Sequence, residues 1–405
     1  MKIALLGPDP SFKGGIGQYN HFLACEMLKE GHDLLFVGFL RQYPKFLYPP
    51  GTGDNTQPHP DFFKPHPNPL QRGEGENGSF SAPEKAEDEV AVVAYTVERI
   101  LSWDRPFSWL AVARRIEEFD PAVVVVPWWT FFWYPWFAPL LSRLRRFRRV
   151  VIAHNASDHE GHGLRGALSR FATRRILAAA DRVIVQSADE KKKVTALGAR
   201  EVAVVHHPVY PQFRSTASRV EARERFGIAP DAKVALLFGA VRPYKGADLF
   251  AEAIATLPDI TGIIAGELWD EALANRLRDL AAAHPNIRLL DRYFDNDASA
   301  ALFAACDVAA LPYRSVTGSG AAMAALGAER PIVAADLPLF REIFPAPLAR
   351  FFTAGDATDL ARAVREFFSD NNKLQSEEAL AIIRGNFGWD RLVREVSAAA
   401  TGTKD

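Results

Sequence analysis

Short apolar runs rich in Val, Ile, Leu and Ala recur between longer amphipathic spans through nearly the whole chain, in two series. The first series occupies residues 3–7, 33–38, 122–126, 150–153, 182–186 and 202–206. The second occupies 234–238, 261–265, 287–290, 308–311 and 332–334. Runs this short and this uniformly apolar are buried on both faces, the condition of a parallel strand covered by helices. Helical spans fit between them. Residues 16–30 close on Gly31, which can turn left-handed at a helix end without a Cβ clash. Residues 164–179, 246–256, 270–283, 297–305 and 319–328 continue the alternation. The pattern predicts an α/β protein with two doubly wound, Rossmann-like parallel sheets.

At 405 residues the chain exceeds one ordinary core. The rhythm changes at His207-Pro208 and the charged stretch 214–225, then restarts. The expected division is therefore 1–207, 208–388 and a final helical segment 389–405 that packs back on the first domain or on the second. Within the first domain, residues 48–89 are rich in Pro, Gly, Asn and charge, with PHPNPLQRGEGENGS at their centre. They read as an insertion without fixed structure.

Charges nearly cancel, 48 basic against 49 acidic. That excludes a general nucleic-acid binder and makes any anion site local. Cys25 and Cys306 are the only cysteines, so neither a disulfide framework nor a cysteine zinc site is read. Residues 121–142 carry no formal charge, but Pro121, Pro127, Pro135 and Pro139 interrupt them. A helix so interrupted would leave backbone groups unpaired in lipid. The expectation is a buried strand at 122–126 followed by an aromatic loop, 128–137. Met1-Lys2 runs straight into an apolar strand, so no secretory leader is read, and a reducing cytoplasm is expected.

Chemistry concentrates in LLFGAVRPYKGADLF, residues 236–250. A strand passes through a Gly-led turn carrying Arg242 and Lys245 into a helix at Gly246. Free N–H groups and the positive dipole end favour a phosphate there. Thr317-Gly318-Ser319-Gly320 opens an Ala-rich helix after the strand 308–311 and offers backbone N–H groups and two hydroxyls. Alone it is equally a simple helix cap. Together, the two segments lie at strand C-terminal ends of one domain, where open α/β sheets bind ligands. Gly14-Gly15-Ile16-Gly17 follows the first strand, but Asn20 stands where a dinucleotide fingerprint needs glycine. A tight turn and a ligand-touching loop remain open. His154 ends a strand and by itself reads as a hydrogen-bonded strand-end residue.

Other polar clusters have bland readings. Asp295-Asn296-Asp297 imitates a metal-holding carboxylate pair but precedes a helix, where Asp is a favoured cap; no metal is expected. Lys191-Lys192-Lys193 reads as a solvated helix face. Arg143, Arg145, Arg146, Arg148 and Arg149 form a basic run beside the aromatic segment. It is either a solvated helix end or a peripheral contact with the anionic inner face of a membrane.

FGAVRPYKG with PYRSVTGSG, GGIGQYN near the start, and AHNASDHE before LAAADRVIVQS resemble the retaining glycosyltransferases of family 4. RQYP and FLYPP resemble one bacterial subgroup. The likeness covers nearly the whole chain outside 48–89. It implies a GT-B fold, two Rossmann-like domains facing a central cleft, with the acceptor on the N-terminal domain and a nucleotide sugar on the C-terminal one. It implies that Arg242 and Lys245 hold the donor diphosphate and that Gly15, Ile16 and Gly17 close over the donor. His154 would stand near the transferred sugar, and Thr317, Gly318, Ser319 and Gly320 would share the phosphates. Gly266, Glu267 and Tyr293 would line the nucleotide pocket.

One departure is clear. Many relatives carry two glutamates at positions that here are Val316 and Ala324, neither of which can hydrogen-bond through its side chain. Thr317 and Ser319 are candidates to replace part of those contacts, with Glu329 a more distant one. The subgroup with a T-x-S-G segment dispenses with the pair. The resulting expectation is metal-independent, retaining transfer of a sugar from a nucleotide diphosphate sugar to a hydroxyl acceptor, in polysaccharide or glycolipid synthesis, without a further cofactor. The alternatives are a GT-B sugar-nucleotide epimerase, a phosphorylase, and a non-catalytic sugar-nucleotide-binding partner of another transferase.

Overall fold

A computed structural model describes residues 1–12, 15–44, 78–83, 92–154, 163–215, 217–316, 318–344, 348–369 and 377–402. The chain divides into two compact units, Met1–His206 with Trp389–Asp405, and His207–Gly388.

The first unit runs β1 (Lys2–Leu6), α1 (Gly15–Lys29), β2 (Asp33–Arg41), β3 (Gly78–Pro83), β4 (Val92–Ser102), α2 (Ser108–Phe119) and β5 (Val123–Trp128). It continues through α3 (Tyr134–Arg143), β6 (Arg148–Ala153), α4 (Gly163–Ala179), β7 (Arg182–Val185), α5 (Ala188–Ala196) and β8 (Val202–Val204). The sheet order is β3-β4-β2-β1-β5-β6-β7-β8. Only β3 is antiparallel to its neighbour. The strand order reverses between β1 and β5, which opens a crevice at their C-terminal ends. Every residue of β5 is buried, as a Val run covered on both faces requires.

Two expectations are corrected here. Residues 48–89 are not structureless throughout, because β3 pairs with β4 from Gly78↔Val97 to Pro83↔Val92. A strand at a sheet edge tolerates Gly and Pro, which is why its composition concealed it. Residues 48–77 and 84–89 lie outside the described residues. The aromatic segment 128–137 is not a loop. Trp128 ends β5, and Thr130 Oγ1 caps a 3-10 turn over Phe131–Trp133 by accepting from Phe132 N. Pro135 then sits in the first turn of α3. Trp128, Trp133 and Phe137 are fully buried, and Trp128 Nε1 donates to Thr173 Oγ1 at 3.1 Å.

The second unit runs α6 (Arg219–Arg225), β9 (Lys233–Phe238), α7 (Ala247–Ala255), β10 (Ile260–Ala265), α8 (Glu271–Ala283), β11 (Ile287–Leu290) and α9 (Asn296–Ala305). It ends with β12 (Val308–Leu311), α10 (Gly320–Gly327), β13 (Ile332–Ala335), α11 (Pro338–Ile343), β14 (Ala349–Phe352), α12 (Ala357–Ser369) and α13 (Glu377–Asn386). Its sheet is parallel throughout, in the order β11-β10-β9-β12-β13-β14, so the reversal falls between β9 and β12. Arg223 of α6 is almost fully buried and ties α6 to the sheet. Its guanidinium donates to Ala305 O at 3.1 Å and to Asp307 Oδ2 at 3.1 Å.

The last helix, α14 (Trp389–Thr401), belongs to the first unit. Trp389 meets the Tyr19 ring at 5.0 Å, Glu395 pairs with Arg182, and Ser397 Oγ lies 3.3 Å from His32 Nε2.

Candidate functional site

The switch point of the second sheet gathers the basic turn. After β9 the chain does not enter α7 directly. Gly239 N donates to Ala265 O (2.9 Å) and Val241 N to Glu267 O (2.9 Å), so the segment beyond β9 stays paired with the segment beyond β10. A 3-10 turn, Pro243–Lys245, follows and ends at Gly246, whose φ of 69° is left-handed. A Cβ on Gly246 would stand 1.9 Å from Pro312 O, so glycine alone lets this turn lie against the chain leaving β12. Gly266 makes the same kind of approach, its missing Cβ falling 2.3 Å from Gly239 O.

This path delivers two cations to one place. Lys245 Nζ lies 3.2 Å from the Cβ position of Gly239, and Ala321 in the first turn of α10 lies 3.9 Å from that same position. The Lys245 ammonium therefore sits beside the N-terminal end of α10. Ser319 caps that helix, accepting from Ala322 N at 3.1 Å, and Tyr313 Oη lies 3.0 Å from Ser319 Oγ. Arg242 stacks on the indole of Trp269, 4.3 Å from the ring centroid. Neither cation has an ion-pair carboxylate among the described residues. Burial, and then the Arg242 charge, lower the Lys245 pKa to about 8. An unpaired pair of cations beside a helix N-terminus is arranged for a polyanion.

Of the other residues singled out from sequence, Gly318 and Gly320 are exposed and Ser319 is buried at the opening of α10, while Thr317 lies outside the described residues. Gly266 and Glu267 lie beyond β10. Tyr293 follows β11 with its phenol pKa raised by burial, then by the charges of Asp295 and Glu267. Val316 is half-buried and Ala324 is buried. Glu329, the candidate substitute, sits past the end of α10 and pairs with Arg214 at 3.3 Å. Asp295 caps α9 through Ala298 N at 2.8 Å. Among the described residues, no three His, Cys, Asp or Glu side chains are grouped to hold a metal ion.

In the first unit, Gly15, Ile16 and Gly17 form the first turn of α1 and not a loop ahead of it. A Cβ on Gly17 would lie 2.6 Å from Asp9 O, so its glycine serves the close packing of α1 on the turn after β1. That turn is fixed by Asp9, a buried carboxylate that accepts from Arg99 Nε (3.0 Å), Ser11 N (3.0 Å) and Ser11 Oγ (2.5 Å). His154 follows β6, donates its backbone N–H to Trp128 O at 2.9 Å, and its ring meets the Tyr19 ring edge-on at 4.6 Å. Its Nδ1 is 3.3 Å from Gln186 Nε2.

Sequence reasoning missed Trp269, and it missed Arg314, whose guanidinium donates to Pro243 O at 2.8 Å. Neither left a local signal in the sequence.

A glycosyl transferase 4-like domain model matches residues 14–209, and a glycosyl transferases group 1 model matches residues 232–370. The chain thus carries a glycosyl transferase 4-like domain and a group 1 domain. D-inositol 3-phosphate glycosyltransferases of Mycobacterium bovis and Mycobacterium tuberculosis are 29% identical to it over 208 residues, 49% of this chain. That region spans 42% of the length of these curated relatives. HepE of Anabaena in complex with UDP superposes with a TM-score of 0.70 at 16% identity, covering 100% of both chains. Sucrose-phosphate synthase of Thermosynechococcus elongatus gives 0.68 at 15% identity, over 98% of this chain and 99% of that one. The fold of this chain is thus GT-B. Among the described residues, no helix is long and apolar enough to cross a membrane.

Proposed function

We propose that this glycosyltransferase is a retaining member of family 4 that moves a sugar from a nucleoside diphosphate sugar to a hydroxyl acceptor. The observation that carries the reading is the placement of Lys245 and Arg242, without ion-pair carboxylates among the described residues, beside the first turn of α10 at the β9/β12 switch. A diphosphate there is met by two cations and by the N–H groups opening α10. HepE is described in complexes with UDP and with UDP-glucose, which supports this donor class.

The leaving group gains negative charge as the bond from the sugar to the diphosphate breaks. Lys245 and Arg242 oppose that charge, and stabilisation of developing charge is the largest single contribution in most such sites. Lys245 is half-buried, so its charge is less screened than that of a surface lysine. We assign no carboxylate nucleophile. The leaving phosphate oxygen accepts the proton of the attacking hydroxyl on the same face of the sugar, which preserves the anomeric configuration. His154 orients the acceptor or the sugar.

A thermal-shift panel of nucleoside diphosphates and their sugars tests the donor class. A ligand bound only by the folded state raises the melting temperature with its concentration. One base is expected to stand out, and slow donor hydrolysis without acceptor distinguishes a transferase from a binding partner. A panel in which no diphosphate shifts the transition overturns the proposal.

A further inference from the structure

The basic run 143–149 is largely tied up within the protein. Arg143 pairs with Glu117 at 2.9 Å, Arg146 reaches Asp120 at 3.9 Å, and Arg149 pairs with Asp181 at 3.0 Å. A different surface has the opposite character. Helix α4 has the sequence GLRGALSRFATRRILAA, with four arginines and no acidic residue in 17 positions. Arg165, Arg170, Arg174 and Arg175 are all exposed, and none has a carboxylate partner among the described residues. Over the whole chain basic and acidic residues nearly balance, so this is a local concentration of charge.

The same helix face is also apolar. Leu168 is 51% exposed and Phe171 55% exposed, one turn apart, and the helical period sets Arg175 on the same outward line. Ala172, Thr173, Ile176 and Leu177 occupy the opposite, buried face. The apolar patch continues beyond α4. The Phe171 ring meets Tyr134 at 5.8 Å, and the Arg165 guanidinium lies 5.8 Å from the Phe131 ring.

We propose that α4, with Phe131 and Tyr134, docks this protein on an anionic lipid bilayer. Leu168 and Phe171 enter the boundary between headgroups and acyl chains. The arginines lay their stems along that boundary and carry their charge to lipid phosphates. Nucleic acid would also satisfy the charge, but it would leave Leu168 and Phe171 bare against a phosphate backbone. The inference is independent of the donor assignment.

Co-sedimentation of the full chain with phosphatidylcholine vesicles, with and without phosphatidylglycerol, tests it. Binding is expected only with the anionic lipid and weakens as salt is raised. The substitution pair Arg170→Gln with Arg174→Gln should lower the partition constant roughly 25-fold, about fivefold for each charge. Leu168→Ser and Phe171→Ser should each lower it several-fold with the melting temperature unchanged, since both side chains are exposed. Arg143→Gln should leave binding unaltered.

No sedimentation with phosphatidylglycerol at low salt overturns the proposal. So does binding that ignores Leu168→Ser and Phe171→Ser, or capture by heparin without capture by vesicles. Self-association lost in Phe171→Ser, without lipid binding, would assign the face to a second copy of the chain instead.

Discussion

Asp248 and Arg314 form a bidentate ion pair, Oδ1 to Nη1 and Oδ2 to Nη2, both at 2.9 Å. It joins the first turn of α7 to the chain leaving β12. The same arginine donates Nη1 to Pro243 O at 2.8 Å and its backbone N to Tyr244 O at 2.7 Å. One residue thus fixes the 3-10 turn that carries Lys245. Burial works to raise the Asp248 pKa, but the Arg314 hydrogen bonds and charge hold it below the usual carboxylate range. The clamp orients the basic turn before any ligand arrives, which is where preorganisation gains affinity.

Removing the clamp should loosen the donor site more than the fold. Arg314→Ala is expected to raise the donor dissociation constant about tenfold and to lower the melting temperature by only a few degrees. Arg314→Lys should recover little, because an ammonium cannot make the bidentate contact. Asp248→Asn should behave like Arg314→Ala, and the double variant should be no worse than either alone. Calorimetric titration of all four proteins with the preferred diphosphate checks this.

Lys245→Ala should reduce kcat/KM by roughly two to three orders of magnitude, the scale of losing one preorganised group that stabilises transition-state charge. The loss should appear mainly in kcat, because the charge it meets grows as the sugar departs. Steady-state kinetics with saturating acceptor separates the two constants. A variant with an unchanged kcat would remove Lys245 from the reaction.

Two glycines of the site should respond oppositely to alanine. Gly246→Ala forces a left-handed φ on a residue with a Cβ and drives that Cβ into Pro312 O, so the backbone itself must move. A loss of about 2 kcal/mol or more in denaturant unfolding is expected, together with loss of diphosphate binding. Gly320→Ala meets nothing within 4 Å and sits at the first position of α10. It should unfold at the same denaturant concentration as the wild type or a higher one.

Strands buried on both faces were legible in the sequence because nothing interrupts their apolar runs. β5, β9 and β10 lie within about two residues of their expected places. β4 was not legible, since Glu98 and Arg99 break its pattern. Each polar group there has a partner from elsewhere, Arg115 for Glu98 and Asp9 for Arg99. At the site, Arg242, Lys245 and the opening of α10 could be read because each announces itself locally as a strand, a turn and a helix. The Asp248–Arg314 clamp could not, because its partners are 66 residues apart. Trp269 was equally hidden: only the pairing of the segments beyond β9 and β10 brings it under Arg242. The α4 surface was missed for a simpler reason. Its four arginines are spread over three turns, whereas 143–149 is a visible block whose carboxylates are distant in sequence.

The Lys245 ammonium should make stability and donor binding respond to pH in opposite directions. Its pKa falls from the ordinary lysine value of 10.5 in the unfolded chain to about 8 in the folded protein. Between those values the unfolded chain binds more protons, so stability rises with pH across that window. Below about pH 8 the folded protein carries the full cost of a charged amine beside Arg242, without its anion. Lys245→Met should therefore be more stable than the wild type at pH 7, by roughly 1–3 kcal/mol. That difference should fade as pH climbs from about 8 toward 10.5. Differencing the two proteins cancels the tyrosines and cysteines that titrate in the same range. Diphosphate binding requires the protonated amine, so its affinity should be flat below about pH 7 and fall above about 8 in the wild type only. Denaturant unfolding and calorimetric titration across roughly pH 6 to 10 measure both trends. A wild type more stable than Lys245→Met at about pH 7 without ligand would mean that the ammonium already has its counter-charge in the folded protein.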